Sequence, residues 1–238
     1  TVLRQVRRIS LRLLNNSIER HAEDTGMQVS IVKYTESVTQ LWGNGAGQMS
    51  EVYRFPKTSN DQNYLFRFST ATIEVPQSDF TLYPGYIRHH RTLDGRCEFE
   101  LDTNNNQTIV DQSGTAFDFF GESQLTCKLL TQTAFAINLI HRPQVQVSDR
   151  VVQVEANNMP LDELLNVPLH VQNVANKRYS FIYVIKGELG LEDALNAKQY
   201  YLSTGDTLVV TSETTGEDNS FWRITECSAK LFHGSVVV

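Results

Sequence analysis

Tyr183-Val184-Ile185-Lys186-Gly187-Glu188-Leu189-Gly190-Leu191-Glu192, followed by Leu202-Ser203-Thr204-Gly205-Asp206-Thr207-Leu208-Val209-Val210, is the stretch that decides the fold. It reads strand, glycine, strand, turn, glycine, strand. The same order of parts occurs earlier. Arg91-Thr92-Leu93-Asp94-Gly95 precedes a strand, an Asn-rich turn at 104–106 and then Gly114 before the strand at 116–120. The two glycines lie 19 residues apart in the first half and 18 apart in the second. Such a repeat of turn chemistry points to two copies of one all-β unit.

Outward from these repeats the chain is rich in short strands. Those expected in the first half lie at 29–34, 64–74, 79–83, 88–93, 96–101, 116–120, 125–131 and 134–140. A second strand-rich half opens at 144–155 and continues at 179–185, 199–202, 207–211, 221–227 and 230–233. Period-two alternation in the 64–74 strand puts Phe66, Phe68 and Thr70 on one face and Leu65, Arg67 and Ser69 on the other. A short helix is expected at 161–165, after Pro160. Residues 1–28 stand apart as a basic extension. Within residues 1–20, Arg4, Arg7, Arg8, Arg12 and Arg20 face one acid, Glu19, and Val2, Val6, Ile9 and Leu13 recur at helical spacing. An amphipathic helix docked on the acidic body is the expectation.

The second-half repeat resembles the core of a cupin, a small antiparallel jelly-roll barrel. Two copies give the expected fold: an all-β bicupin of two jelly-roll barrels with a short N-terminal helix. The first barrel is expected at 29–142 and the second at 143–238.

Composition narrows the functional classes. The chain has 238 residues and a net charge of -6, which favours solubility and argues against a nucleic-acid partner. No run of 18 apolar residues suggests a membrane span, and no secretory signal is visible. Cys97, Cys127 and Cys227 are far apart and odd in number, which fits buried thiols in a cytoplasmic protein. No metal or other cofactor is expected. A His-x-His pair would put two imidazoles on one strand face, and the chain has none. His89 and His90 are adjacent and so point to opposite faces.

Trp42-Gly43-Asn44-Gly45-Ala46-Gly47 is the other singular stretch. Taken alone it is a tight connection, or a loop whose backbone N–H groups can face an anion. Three segments together resemble the HutD/Ves family of bacterial bicupins: LWGNGAGQMSEV at 41–52, DFTLYPGYIR at 79–88 and AFAINLIHR at 134–142. Trp42, Asn44, Gly45, Gly47, Glu51, Pro84, Gly85, Arg88 and Asn138 match the family pattern. Gly43 stands where the family has a basic residue, Ala46 for a glycine, Met49-Ser50 for Thr-Arg, and Ile87 and Ala136 for acids.

The resemblance implies a ligand site at the mouth of the first barrel, built from Trp42, Asn44, Gly45, Gly47, Glu51, Arg88, His90 and Asn138. Arg88 suits a carboxylate, Asn138 an amide or carboxylate, and Trp42 offers an apolar wall. Glu51 would receive a ligand amine or orient Arg88. The function so implied is non-enzymatic binding of a small carboxylate or amide metabolite, regulatory in histidine utilisation or stress response. A homodimer is plausible by analogy with cupin-like folds. Two alternatives stand beside it. One is a metal-free isomerase or epimerase using His89, His90 or Glu51 as acid and base. The other is a bicupin whose site has decayed into an interaction module.

Overall fold

A computed structural model of the protein describes residues 27–42, 45–102, 107–111, 114–161, 164, 177–194, 197–213 and 222–238. The chain is all-β, with a cupin-like arrangement of three antiparallel sheets. The first is six-stranded. Its order is β2 (Val38–Leu41), β3 (Gln48–Phe55), β4 (Phe66–Ile73), β11 (Ala134–His141), β6 (Ile87–Asp94) and β9 (Ala116–Phe120). A four-stranded sheet faces it, in the order β5 (Gln77–Asp79), β10 (Leu125–Leu129), β7 (Cys97–Leu101) and β8 (Gln107–Asp111).

The seven-stranded sheet makes the rest. Its path is β1 (Met27–Val32), β16 (Thr207–Glu213), β14 (Lys177–Asp193), β17 (Trp222–Val237) and β12 (Gln146–Ala156). β13 (Met159–Pro160) adds to β17, and β15 (Lys198–Ser203) adds to β14. β1 thus joins the far end of the chain, pairing Met27 with Ser212 and Val32 with Thr207.

Three large apolar cores follow from strand alternation, and a fourth, smaller cluster joins Tyr64, Tyr86 and Ile140. Phe66, Phe68, Ile137 and Leu139 leave one face of the six-stranded sheet to meet Tyr179, Phe181, Val209 and Phe232 of the seven-stranded sheet. Phe68 stacks on Phe232 with ring centroids 5.9 Å apart. A second core fills the inside of the second half, around Ile182, Val184, Leu189, Leu208 and Leu231. The third lies between the six- and four-stranded sheets, around Phe80, Phe99, Phe119, Cys97 and Cys127. All three cysteines are buried thiols.

The expected pair of closed barrels is not what forms. Each sheet path is open: the six-stranded sheet ends at β2 and β9, the four-stranded at β5 and β8, and the seven-stranded at β1 and β12. In the first half the chain leaves β4 for β5 through Pro76, which has no N–H to carry a ladder across the corner. In the second half closure is replaced by bending. β14 and β17 run 17 and 16 residues and pair along most of their length, with register breaks at Val184/Lys186 and Gly190/Leu191. The two strands expected at 221–227 and 230–233 are therefore one, because Ser228 and Ala229 offer no turn between them.

The repeat glycines have a structural reason. Gly95 and Gly187 adopt φ of +78° and +99°, and a Cβ there would fall 2.3 Å and 2.1 Å from the carbonyl oxygens of Thr133 and Ser228. The expected N-terminal helix falls on residues outside those described, and the first described element is the strand β1. Of the short helix expected at 161–165, Leu161 and Leu164 are helical and pack into the second-half core, while 162, 163 and 165 lie outside the described residues. No helix among the described residues is long and apolar enough to cross a membrane.

Candidate functional site

β4, β11 and β6 lie side by side, so residues of like parity form rows across the sheet. Ser69, Asn138 and His90 make one row. Arg67, Ile140 and Arg88 make the next. Both rows face the four-stranded sheet, because Phe66, Phe68, Ile137 and Leu139 of opposite parity face the other way. The arginine row opens on a cavity of about 50 Å³ lined also by Trp42, Met49, Thr81 and Tyr83.

Arg67 and Arg88 are only 3% and 6% exposed. Neither guanidinium has a carboxylate within salt-bridge distance among the described residues; burial works against the charge of Arg67, but Tyr64, Tyr83 and the more distant Glu51 carboxylate outweigh it and raise its pKa. Arg88 donates from Nη1 to the Thr81 carbonyl (3.0 Å) and from Nη2 to Asn138 Oδ1 (3.1 Å). Arg67 donates from Nη2 to the Tyr83 hydroxyl (2.9 Å). The Nε of each is buried and without a hydrogen-bond partner. Aromatic faces take up part of the burden. Arg88 lies 4.7 Å from the Phe80 centroid, and Arg67 lies 5.0 Å from that of Tyr83. Burial, with Arg67's like charge adding to it, pushes Arg88 down to about 10, still charged at neutral pH.

His90 is wholly buried against Phe80, Phe99 and Phe117. Burial pushes it down to about 3, so the ring is neutral. Asn138 Oδ1 already accepts from Arg88, which has only donors. His90 Nδ1 therefore carries the proton and donates to the same oxygen at 3.1 Å. Its Nε2 then accepts from the Thr92 hydroxyl at 3.4 Å. Both ring nitrogens are thus engaged within the fold.

His89 points the other way, as alternation requires. It meets Asp118 at 2.5 Å and Asp149 at 3.2 Å. Burial alone would lower its pKa, but the two carboxylates outweigh that and raise it to about 9. Arg91, on the same face, grips Asp149 through Nε and Nη2, each at 2.6 Å. One strand, β6, thus carries Arg88 and His90 inward while His89 and Arg91 bind it to β12 of the second half.

The tryptophan loop acts as wall and corner. Trp42 meets Phe80 edge-on at 5.7 Å. Gly45 has φ +71° and gives its N–H to the Trp42 carbonyl at 2.8 Å. Gly47 presses on β4, where a Cβ would fall 2.0 Å from the Thr72 carbonyl oxygen. Glu51 holds Arg54 at both Nε (3.0 Å) and Nη2 (2.5 Å) rather than Arg88. Asn44 lies outside the described residues. Arg67, Tyr83, Thr81 and Met49 line the cavity and are not among the site residues expected from the sequence. The available signal was an arginine on the Ser69 face of an otherwise apolar strand.

A family model described as HutD matches residues 34–221. The chain belongs to the HutD family. Among curated relatives it is 30% identical over 118 residues to an uncharacterised 21.2 kDa protein in the hutC 3′ region of Pseudomonas putida, covering 49% of this chain and 60% of that protein. It is 32% identical over 116 residues to the Ves protein of Citrobacter koseri, covering 46% and 59%. The chain thus spans about 60% of the length of these curated relatives. A solved structure of a conserved protein of unknown function from Pseudomonas aeruginosa superposes with a TM-score of 0.65 at 18% identity, covering 88% of this HutD-family chain and 98% of the other. At that identity the likeness is one of fold.

Proposed function

We propose that the first-half cavity receives the carboxylate group of a small metabolite, and that this HutD-family chain is a non-enzymatic binding protein. One observation carries the reading: two buried arginines, Arg67 and Arg88, line one cavity with no carboxylate partner among the described residues. Buried charges are ordinarily paired, and an unpaired one costs several kcal/mol. A ligand carboxylate in the cavity would supply the counter-charge that both guanidiniums lack. Asn138, whose oxygen is committed to Arg88 and His90, has its amide N–H₂ left to donate.

Size limits what enters. A cavity of about 50 Å³ has room for a carboxylate head and little else, since one water occupies ~30 Å³ in the liquid. The remainder of the ligand would extend past Trp42 and Thr81. Acid–base chemistry is not favoured, because His90 is neutral with both ring nitrogens bonded and Glu51 is held by Arg54.

The test is thermal unfolding and calorimetric titration with formate, acetate, urocanate and N-formylglutamate, the last two because one relative is named from the hutC 3′ region. A ligand at a hundred times its Kd should stabilise the wild type by about 2.7 kcal/mol. Arg88→Gln and Arg67→Gln should each remove that gain. A folded wild type that gives no saturable response to any carboxylate sinks the proposal. So does a response that survives both substitutions.

A further inference from the structure

The seven-stranded sheet carries a second set of inward cations, and nothing in the first-half reading uses it. β12, β17 and β14 lie side by side. Arg150, His233 and Ile182 form one row across them, and Ser148, Ser235 and Ser180 form the next. Arg178 follows in the third row, opposite Val237. These residues share the parity of Val152, Val154, Ile182, Val184 and Leu231, which fill the second-half core. Phe232 and Phe181, of opposite parity, face the six-stranded sheet.

The polar groups here are incomplete, and range from fully buried to half-buried, Arg150, Arg178 and Ser148 being half-buried. His233, Ser235 and Ser180 are 0%, 2% and 3% exposed. Both His233 ring nitrogens, the Ser148 and Ser235 hydroxyls, and the Nε atoms of Arg150 and Arg178 are buried without a hydrogen-bond partner. Arg150 donates from Nη2 to the Leu164 carbonyl. Among the described residues neither arginine meets a carboxylate. Burial, and then the two arginines, push His233 down to about 4, so it is neutral and keeps one N–H to donate.

Leaving one buried polar group unmet costs about 1–3 kcal/mol, and six in a single patch is far from the norm. All six belong to side chains that can donate: two guanidiniums, one neutral imidazole and two hydroxyls. What completes such a set is rich in acceptors and negatively charged. We infer that the inner face of the second half is a second oxyanion site, for a compact dianion such as inorganic phosphate or a small dicarboxylate, built from Arg150, Arg178, His233 and the serine row. It is separate from the first-half cavity, which lies between two other sheets.

The experiment follows the histidine ring ¹⁵N signals of the full chain while inorganic phosphate or malonate is added, with sodium chloride at matched ionic strength as the control. The His233 signals are identified by their loss in His233→Asn. They should move saturably with phosphate, malonate or both, and stay still with chloride. The arm that saturates at lower concentration names the anion class. Arg150→Gln and Arg178→Gln should each weaken association about tenfold or more, as loss of a charge-assisted bond does. Ser235→Ala, which leaves every charge in place, should weaken it severalfold and decides the matter if an arginine variant does not fold. Arg88→Gln should leave this titration unchanged, which separates failure of this site from failure of the first. His233 signals that ignore both anions, or that respond equally in Ser235→Ala, overturn the inference.

Discussion

Ile140→Glu is the sharpest test of the empty charge balance in the first-half cavity. Ile140 is 1% exposed and sits between Arg67 and Arg88 in one cross-strand row. A glutamate there loses about 2–3 kcal/mol of apolar burial, and its carboxylate bears a desolvation penalty of several more. In return it stands between two unpaired guanidiniums. At ~4 Å and an effective dielectric of about 20, each such pair is worth ~4 kcal/mol. These terms nearly cancel, so Ile140→Glu should fold and lose no more than about 2 kcal/mol. Leu139→Glu, one residue away, is the control. Leu139 is fully buried and faces the aromatic core between the sheets, where nothing compensates a charge. It should not fold. Urea unfolding at neutral pH measures both. Ile140→Glu should also lose the response to carboxylates, because its own side chain fills the cavity. If the two variants are equally damaging, the arginines already have their counter-charge and the reasoning fails.

Arg88→Gln, measured in buffer free of carboxylates, should change stability by less than about 2 kcal/mol, because relief of the buried charge offsets the lost bonds to Thr81 and Asn138; a loss of 3–5 kcal/mol, as for a broken buried pair, would mark it as structural. Stability should fall as pH rises from 6.5 through about 9, by up to about 3 kcal/mol, because folded His89 holds its proton between Asp118 and Asp149 over that window while the unfolded chain releases it; His89→Gln should flatten this limb of a pH–urea series. On the acid side, His233 and His90 are kept neutral with values of about 4 and 3, so their contribution is complete above pH 6.5 and is lost as pH falls through those values; circular dichroism across pH 7 to 3 reads the loss, and a flat profile would contradict it. Gly187→Ala should cost about 2 kcal/mol or more in chemical denaturation, since its φ of +99° and the Ser228 carbonyl both exclude a Cβ; a neutral result would mean β14 can straighten there.

Much of the architecture was written in local pattern. The strand expected at 116–120 is β9, Ala116–Phe120, and the paired glycines mark equivalent bends in both halves. Period-two alternation divided β4 correctly, with Phe66 and Phe68 in the inter-sheet core and Arg67 and Ser69 on the opposite face. Closure was not legible, because whether a sheet's last strand meets its first depends on pairings across the whole chain. β1 illustrates the difficulty: its alternation would suit any half-buried sheet, and its partner β16 lies at the other end of the sequence. β17 shows the converse. Local breaks were expected near Ser228, yet the long pairing with β12 and β14 carries the strand straight through.

The site was legible where parity on neighbouring strands was enough to decide it, and hidden where a second sheet was needed. Arg88, His90 and Asn138 face one side because their spacing on β6 and β11 requires it. Arg67 shares that face, but an arginine opposite phenylalanines reads equally well as solvent-facing until the four-stranded sheet covers it. The departures from the family pattern then take on a physical order. Position 136 is fully buried on the same inner face as Asn138, and it holds Ala where the family has an acid. Position 87 stands beside Arg88 on the opposite face, so the acid missing there is no loss to the cavity floor. Glu51 is present but bound to Arg54. Negative charge is thus absent or engaged elsewhere around Arg67 and Arg88, and positive charge is thinner too, since Gly43 and Ser50 stand where the resemblance implies basic residues; the two buried arginines are nonetheless present. A decayed pocket would be expected to lose its costly buried charges first, since nothing then offsets their desolvation. The presence of two such arginines with no carboxylate in salt-bridge reach among the described residues favours a counter-charge that arrives from outside.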